Sequence, residues 1–237
     1  QYTEFDLLTE TFVEYNDSAF SGQILAAGSA GAQLGQYLYI LQAGVTRAIY
    51  RFDLLNKQYD TSFQTIDFID SGCIASHYNE SLRYIYVIGG QFTTNGKFYQ
   101  ILDVDTMSWY TGRDPREYRD YATCIVHPVT NRLYVIGDAW SAIADQYESA
   151  YVGNGDLPAS SQRYYYWTRV SNALPHGVKS AASVVFQDMI LVIGGWNSDI
   201  GGALDIIQII NVETGVAGIA NTRLAYPVQY SVVAIID

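Results

Sequence analysis

Four short runs of apolar residues stand out from the pattern of polar and apolar positions along this chain. They occupy residues 38–41, 85–88, 133–136 and 190–193, and they contain only Val, Ile, Leu and Tyr. A run of four such residues without polar interruption is typical of a strand that is buried on both faces. The chain is therefore predicted to contain four copies of one buried strand.

Glycine follows three of these runs, as Gly89-Gly90, Gly137 and Gly194-Gly195. Glycine at the end of a strand predicts a sharp turn, or a neighbouring backbone too close for a Cβ atom. The runs begin at residues 38, 85, 133 and 190, so successive copies lie about fifty residues apart. That period, made of short strands, is typical of the blades of a β-propeller.

A second signature repeats later in each unit. An Asp or Asn is followed six residues later by a residue that is aromatic in three of the four copies. The pairs are Asp6 and Phe12, Asp53 and Tyr59, Asp103 and Trp109, and Asn211 and Ala217. We interpret each as a hairpin in which the Asx side chain accepts hydrogen bonds from turn N–H groups, and the aromatic residue, where present, covers the sheet edge.

These two signatures divide the chain into four blades of four strands each. The predicted blades are 18–61, 62–112, 113–170 and 171–220, with the first strand of the first blade near 23–27 and fourth strands ending near 61 and 219. Residues 1–17 and 221–237 supply parts of a further blade. No segment shows sustained helical periodicity with caps, so the predicted fold class is all-β.

The pattern resembles the kelch-repeat family of β-propellers. The family motif is an apolar strand ending in Gly-Gly, then a Tyr-Asp pair and a Trp six residues after the Asp. Gly89-Gly90, Asp103 and Trp109 match it, with Leu102 in place of Tyr, whereas Gly137-Asp138 breaks the glycine pair. The resemblance covers essentially the whole chain and implies a propeller, but a fold does not by itself fix a function.

Kelch propellers usually close with six or seven blades, and only four complete blades are counted here. Either the two ends meet as an incomplete fifth blade, or residues 1–237 are a stretch of a longer propeller; we favour the stretch. Because the chain begins at Gln1 rather than Met, we expect a processed chain or a segment.

Composition narrows the class of partner. The net charge of −11 argues against nucleic acid and anionic membrane surfaces, and no apolar run approaches the roughly 20 residues of a membrane span. Three lysines against ten arginines, 21 tyrosines, and the glycosylation sequons at Asn16 and Asn79 favour an extracellular or cell-surface glycoprotein, with a cytoplasmic location as the alternative. Cys73 and Cys124 are predicted to be free thiols, because facing sheets pack about 10 Å apart.

No catalytic constellation emerges. The kelch-like copper enzyme galactose oxidase uses Tyr, His and Cys ligands, but His77 and His127 are predicted on one face of the propeller and His176 on the other. Ligands on two faces cannot converge on one ion. No hydrolase or calcium-binding motif occurs, so we expect no enzyme activity, no cofactor and no metal.

A binding face is the strongest functional prediction. The loops 43–49, 89–98, 137–146 and 194–204, and the connections 62–71, 113–120 and 171–179, should lie on one face of the propeller. They carry six candidate contact residues: Phe92, Trp140, Trp196, Arg113, Arg116 and Arg119. Exposed Trp and Arg are typical of binding hot spots. The alternative, that the rings pack between blades, stays open.

We therefore expect a non-catalytic, acidic propeller that acts as a scaffold for a protein partner or an assembly neighbour. The alternative is a secreted carbohydrate-binding or carbohydrate-active protein in which Trp140 and Trp196 stack on sugar rings.

Overall fold

A computed structural model describes residues 2–6, 11–15, 29–42, 46–79, 82–90, 99–117, 119–139, 146–152, 167–170 and 173–230. Within these ranges the chain is all-β and contains no helix. Four antiparallel sheets are arranged as the blades of a β-propeller, which confirms the predicted fold class. A separate hairpin pairs β1 (Tyr2–Asp6) with β2 (Thr11–Tyr15).

Each blade is a meander in which consecutive strands pair from the axis outward. Blade 1 contains β3 (Ala30–Leu34), β4 (Tyr37–Leu41), β5 (Thr46–Asp53) and β6 (Gln58–Ile69). Blade 2 contains β7 (Cys73–Asn79), β8 (Leu82–Ile88), β9 (Tyr99–Asp103) and β10 (Ser108–Thr111). Blade 3 contains β11 (Thr123–His127), β12 (Arg132–Ile136), β13 (Tyr147–Tyr151) and β14 (Thr168–Val170). Blade 4 contains β15 (Ala182–Phe186), β16 (Met189–Ile193), β18 (Gly202–Asn211) and β19 (Ala217–Val228), and the short β17 (Trp196–Asn197) pairs with the start of β18.

The hydrophobic cores lie between the blades, because each sheet buries both of its faces. In β8, Ile85 and Val87 join the core shared with blade 1, whereas Tyr86 and Ile88 join the core shared with blade 3. All four side chains are fully buried. This is the two-sided burial that an uninterrupted apolar run predicts.

The glycines after the second strands are required by close contact with the next connection. A Cβ atom at Gly89 would lie 2.0 Å from the carbonyl oxygen of Arg119, and one at Gly137 would lie 2.3 Å from that of Val178. At Gly194 the corresponding distance to the Val228 oxygen is 2.5 Å. The predicted reason for these glycines, a neighbour too close for a side chain, is confirmed.

The Asx turns are also confirmed where their side chains are described. Asp53 Oδ1 accepts hydrogen bonds from the backbone N–H groups of Leu55 and Asn56, at 2.9 and 3.0 Å. Asp103 and Asn211 each accept equivalent pairs from their own turns. These hydrogen bonds lower the pKa of Asp53, and the bond from the Asn56 backbone N–H has the largest effect.

Three predicted element bounds were wrong. The first strand of blade 1 is β3, not 23–27; its small residues line the narrow axis, although in the sequence they are typical of a turn. The fourth strands of blades 1 and 4 do not end near 61 and 219 but continue to Ile69 and Val228. Both long strands contain register shifts, which bend them along the neighbouring strand.

The prediction of two free thiols was wrong, since Cys73 and Cys124 form a disulfide with a Cα–Cα distance of 5.7 Å. The spacing of about 10 Å between facing sheets does not apply at the axis, where the first strands of neighbouring blades converge. Cys73 pairs with Ile88, whereas Cys124 pairs with Val135, one position further from the glycine. Side chains alternate along a strand, so this offset turns the two cysteines toward each other.

Candidate binding face

The ends of the second strands and the connections between blades lie on one face of the propeller, which we call the connection face. Its described part comprises the connections 112–117, 119–121 and 173–181, and the hairpin 196–204. At its centre lie four residues with positive φ: Ser71, Tyr121 and Ser180, which stand two residues before β7, β11 and β15, and Tyr230. We call these four residues the collar.

Backbone hydrogen bonds join the collar from blade to blade. Tyr121 N–H donates to the Ser71 carbonyl at 2.9 Å, Ser180 N–H to Tyr121 at 2.7 Å, and Tyr230 N–H to Ser180 at 2.9 Å. The collar surrounds an axial cavity of about 110 Å³, lined by the beginnings of the first strands and by the disulfide. The connection face therefore has a fixed centre.

The connection between blades 2 and 3 is anchored by a buried carboxylate. Glu148, in the third strand of blade 3, accepts hydrogen bonds from the backbone N–H groups of Arg116 at 2.7 Å and Glu117 at 2.9 Å. It also pairs with the Arg119 guanidinium at 3.0 Å, and both side chains are completely buried. Arg119 donates a further hydrogen bond to the Gly137 carbonyl at 3.0 Å. This network fixes the connection to blade 3.

Blade 4 uses the same device without charges. Gln208, which occupies the position of Glu148 in the next blade, accepts from the His176 N–H at 2.9 Å and donates to the His176 carbonyl at 3.0 Å. Val178 replaces Arg119: the carbonyls of both residues accept a backbone hydrogen bond from the second residue of the Gly-Gly site. The connection before blade 3 is thus anchored by a buried ion pair, and the connection before blade 4 by neutral hydrogen bonds.

The departure from Gly-Gly at 137–138 provides a further anchor. Asp138 is buried, and its carboxylate accepts a hydrogen bond from the backbone N–H of Asp120 at 3.0 Å. Its own N–H donates to the Val178 carbonyl at 2.9 Å. One residue therefore links the connections on either side of blade 3.

The three candidate arginines differ in their exposure to solvent. Arg113 and Arg116 are exposed on the connection face. Arg119 is 1% exposed and its charge is used inside blade 3, so it does not offer the exposed guanidinium that the binding prediction required. The backbone at Arg113 is held by the Trp167 indole N–H, which donates to its carbonyl at 2.6 Å.

Among the candidate aromatic residues, Trp196 is half-buried, and its backbone pairs with Lys179 through hydrogen bonds of 2.8 and 3.0 Å. The Lys179 ammonium in turn lies 5.9 Å from the centroid of the Tyr121 ring. Contacts therefore run from the connection after blade 2 through Lys179 to Trp196. Phe92, Trp140 and Asn16 lie outside the described residues, and the side chain of Asn79, the last residue of β7 on the opposite face, is also outside them.

The histidines at the ends of the first strands hold neighbouring blades together. His127 hydrogen-bonds through Nε2 to the Gln187 carbonyl of blade 4 at 3.1 Å. His77 occupies the corresponding position in blade 2 and hydrogen-bonds with Asn131 of blade 3. Burial lowers the pKa of His77, and the bond to Asn131 opposes this shift only in part. His176 lies in the connection after blade 3, on the other face as predicted.

Two residues that hold the site were not singled out from the sequence. Glu148 was detectable as a lone carboxylate within the third strand of blade 3, where a charge has to find a partner once buried. Trp167 carries no such signal, because its role depends on the fold that brings it to Arg113. Among the described residues no group of three His, Cys, Asp or Glu side chains could hold a metal ion, and no helix could span a membrane.

Comparison with known proteins supports the fold. No protein family and no curated protein matches the chain. The solved structure of YjhT matches it with a TM-score of 0.62 and 16% identity, over 87% of this chain and 68% of that one. At this identity the similarity establishes the β-propeller fold and carries no statement about function.

Proposed function

We propose that this protein is a non-catalytic binding propeller whose connection face docks an acidic segment of a partner protein. The observation that carries the proposal is the anchored connection between blades 2 and 3. Buried Glu148 fixes the backbone at Arg116, and the Trp167 indole holds the backbone at Arg113; both arginine side chains are exposed. Cations on a rigid loop lose less conformational entropy on binding than cations on a mobile one.

The arginines on this face favour a carboxylate-bearing partner. The chain as a whole carries a net charge of −11, and on the described part of the connection face Arg113, Arg116 and Lys179 stand beside Asp114, Asp199 and Glu117, of which Glu117 is paired with Arg169. Arginine binds carboxylates through two parallel hydrogen bonds, and half-buried Trp196 adds apolar contact area. The disulfide near the axis supports an extracellular or cell-surface location for this interaction, because disulfides persist in oxidising compartments.

Affinity capture with quantitative mass spectrometry tests the proposal. The wild-type chain and the variant Arg113→Glu/Arg116→Glu are exposed to the same extracellular fluid, with Arg83→Gln as the control for an exposed arginine at the opposite face. We expect proteins that are retained by the wild type and by the control but lost by the double variant. Capture that is unaffected by the double variant would contradict docking at these arginines, and a glycan array labelled in a Trp196-dependent manner would replace this proposal with the carbohydrate alternative.

A further inference from the structure

The opposite face of the propeller, which is formed by the turns within each blade, exposes large apolar side chains. Turns usually carry glycine, proline or small polar residues. Here Leu55, Met107, Val129, Phe186 and Val216, which lie in or beside such turns, are 44–75% exposed. Single exposed apolar residues need no explanation, whereas a cluster of them marks an interaction site. Among these five side chains, the three in blades 3 and 4 belong to turns that are bonded to each other.

Hydrogen bonds fix these turns to one another. In blade 3, the backbone N–H of Thr130 donates to His127 Nδ1 at 3.3 Å, which holds the turn closed. The other nitrogen of the same ring, Nε2, hydrogen-bonds to the Gln187 carbonyl of blade 4 at 3.1 Å. Within blade 4, the Asp188 carbonyl accepts a hydrogen bond from the Val212 N–H at 3.1 Å, which joins the inner turn to the outer one. The three apolar residues are therefore presented by a fixed backbone.

Two exposed carboxylates stand in the same turns of blade 4. The side chains of Asp188 and Glu213 make no ion pair and no hydrogen bond within the described part of the chain. Asp105, on the same face, is by contrast paired with Arg83. The net charge of −11 attracts cations in the same direction and speeds their association. We call Val129, Phe186, Asp188, Glu213 and Val216 the turn patch; its charge complements a basic partner and not an acidic one.

We propose that the turn patch docks a segment of a partner protein in which Lys or Arg stands beside apolar side chains. Val129, Phe186 and Val216 supply the apolar contact, and the two carboxylates bind the cations. Lys and Arg suit such a surface because their aliphatic stems pack on apolar groups while the charged ends reach a carboxylate. This site is independent of the docking of an acidic segment on the connection face, so partners of opposite charge can bind at the two faces.

Selection from a displayed library of short random peptides, with the full 237-residue chain as bait, tests the proposal. Selected peptides should combine Lys or Arg with apolar residues, and fluorescence anisotropy of synthetic copies gives their affinity. Asp188→Lys and Phe186→Ser should each weaken binding of these peptides at least about 5-fold, the effect of removing one residue that contributes to an interface. Each has a matched control that should bind as wild type does: Asp199→Lys reverses an exposed charge on the connection face of the same blade, and Leu55→Ser removes an exposed apolar turn residue of blade 1.

Several results would overturn the assignment. One is the selection of acidic peptides alone, or of no peptides. Another is an affinity that is unchanged by both Asp188→Lys and Phe186→Ser, or that falls equally in the two controls. Circular dichroism checks the fold of each variant. Sedimentation velocity of the chain without peptide covers the remaining occupant, since self-association that Phe186→Ser abolishes would assign the turn patch to a second copy of the chain instead.

Discussion

Replacing Glu148 by Gln tests the anchoring of the connection face. The substitution keeps the shape of the side chain but removes the charge that pairs with Arg119, and both side chains are completely buried. It also replaces one of the two oxygens that accept the N–H groups of Arg116 and Glu117 with an N–H₂ group. Removing one partner of a buried ion pair typically costs about 3–5 kcal/mol, because the other charge is left without compensation.

For a chain of this size that loss corresponds to a fall in Tm of roughly 6–20 °C. Thermal and urea unfolding, followed by circular dichroism, measure it. Blade 4 supplies the matched control, since Val178 and Gln208 occupy the two positions there. The double variant Arg119→Val/Glu148→Gln should therefore recover most of the stability that Glu148→Gln loses. A single variant within about 1 kcal/mol of wild type, or a double variant no more stable than the single one, would refute the reasoning.

Three other perturbations follow from the repeat geometry. Gly137→Ala should destabilise the fold far more than Gly201→Ala in urea unfolding, because both glycines have positive φ but only Gly137 would place an added Cβ against a carbonyl oxygen, at 2.3 Å. Equal losses of stability in the two variants would contradict the close-contact explanation. Thr123→Cys/Ser183→Cys should form a second disulfide, between blades 3 and 4, because the Thr123 and Ser183 hydroxyl oxygens lie 2.8 Å apart at the positions that correspond to Cys73 and Cys124. Mass spectrometry without reductant should find a linked peptide pair, and two alkylated thiols would contradict the prediction. Stability should fall as pH drops below about 6.5, because the pKa of His77 is lower in the folded chain than in the unfolded chain, which therefore binds the proton more readily. His77→Gln should flatten this part of the profile of Tm against pH, and an unchanged slope would show that other groups dominate.

The fold was predictable from the sequence because its signals are local and repeated. An apolar run followed by glycine, and an Asx residue six positions before an aromatic one, each report on a single strand or turn. Four copies in phase then identify the propeller. The same signals explain why the glycines and Asx turns were interpreted correctly, since a close carbonyl and a turn N–H act directly on the residue concerned.

Contacts between blades were harder to predict, because they depend on strand register. The disulfide requires a one-residue offset between Cys73 and Cys124, which is not visible until the strands are paired. In the sequence, Arg119 stands among charged residues that are typical of an exposed loop. Only the position of Glu148 on β13 shows that the Arg119 guanidinium is buried in an ion pair. Arg113 and Arg116 therefore lie on the face that the sequence predicted for them, whereas the residues that hold their backbone became apparent only in the structure.

Hydrogen–deuterium exchange, measured with and without the protein that capture identifies, tests the docking face most directly. Docking on the connection face predicts slower exchange at residues 112–121 and 173–181, and unchanged exchange at the turns 128–131 and 187–188 of the opposite face. Protection confined to those turns, with the connections unaffected, would contradict the proposed binding face.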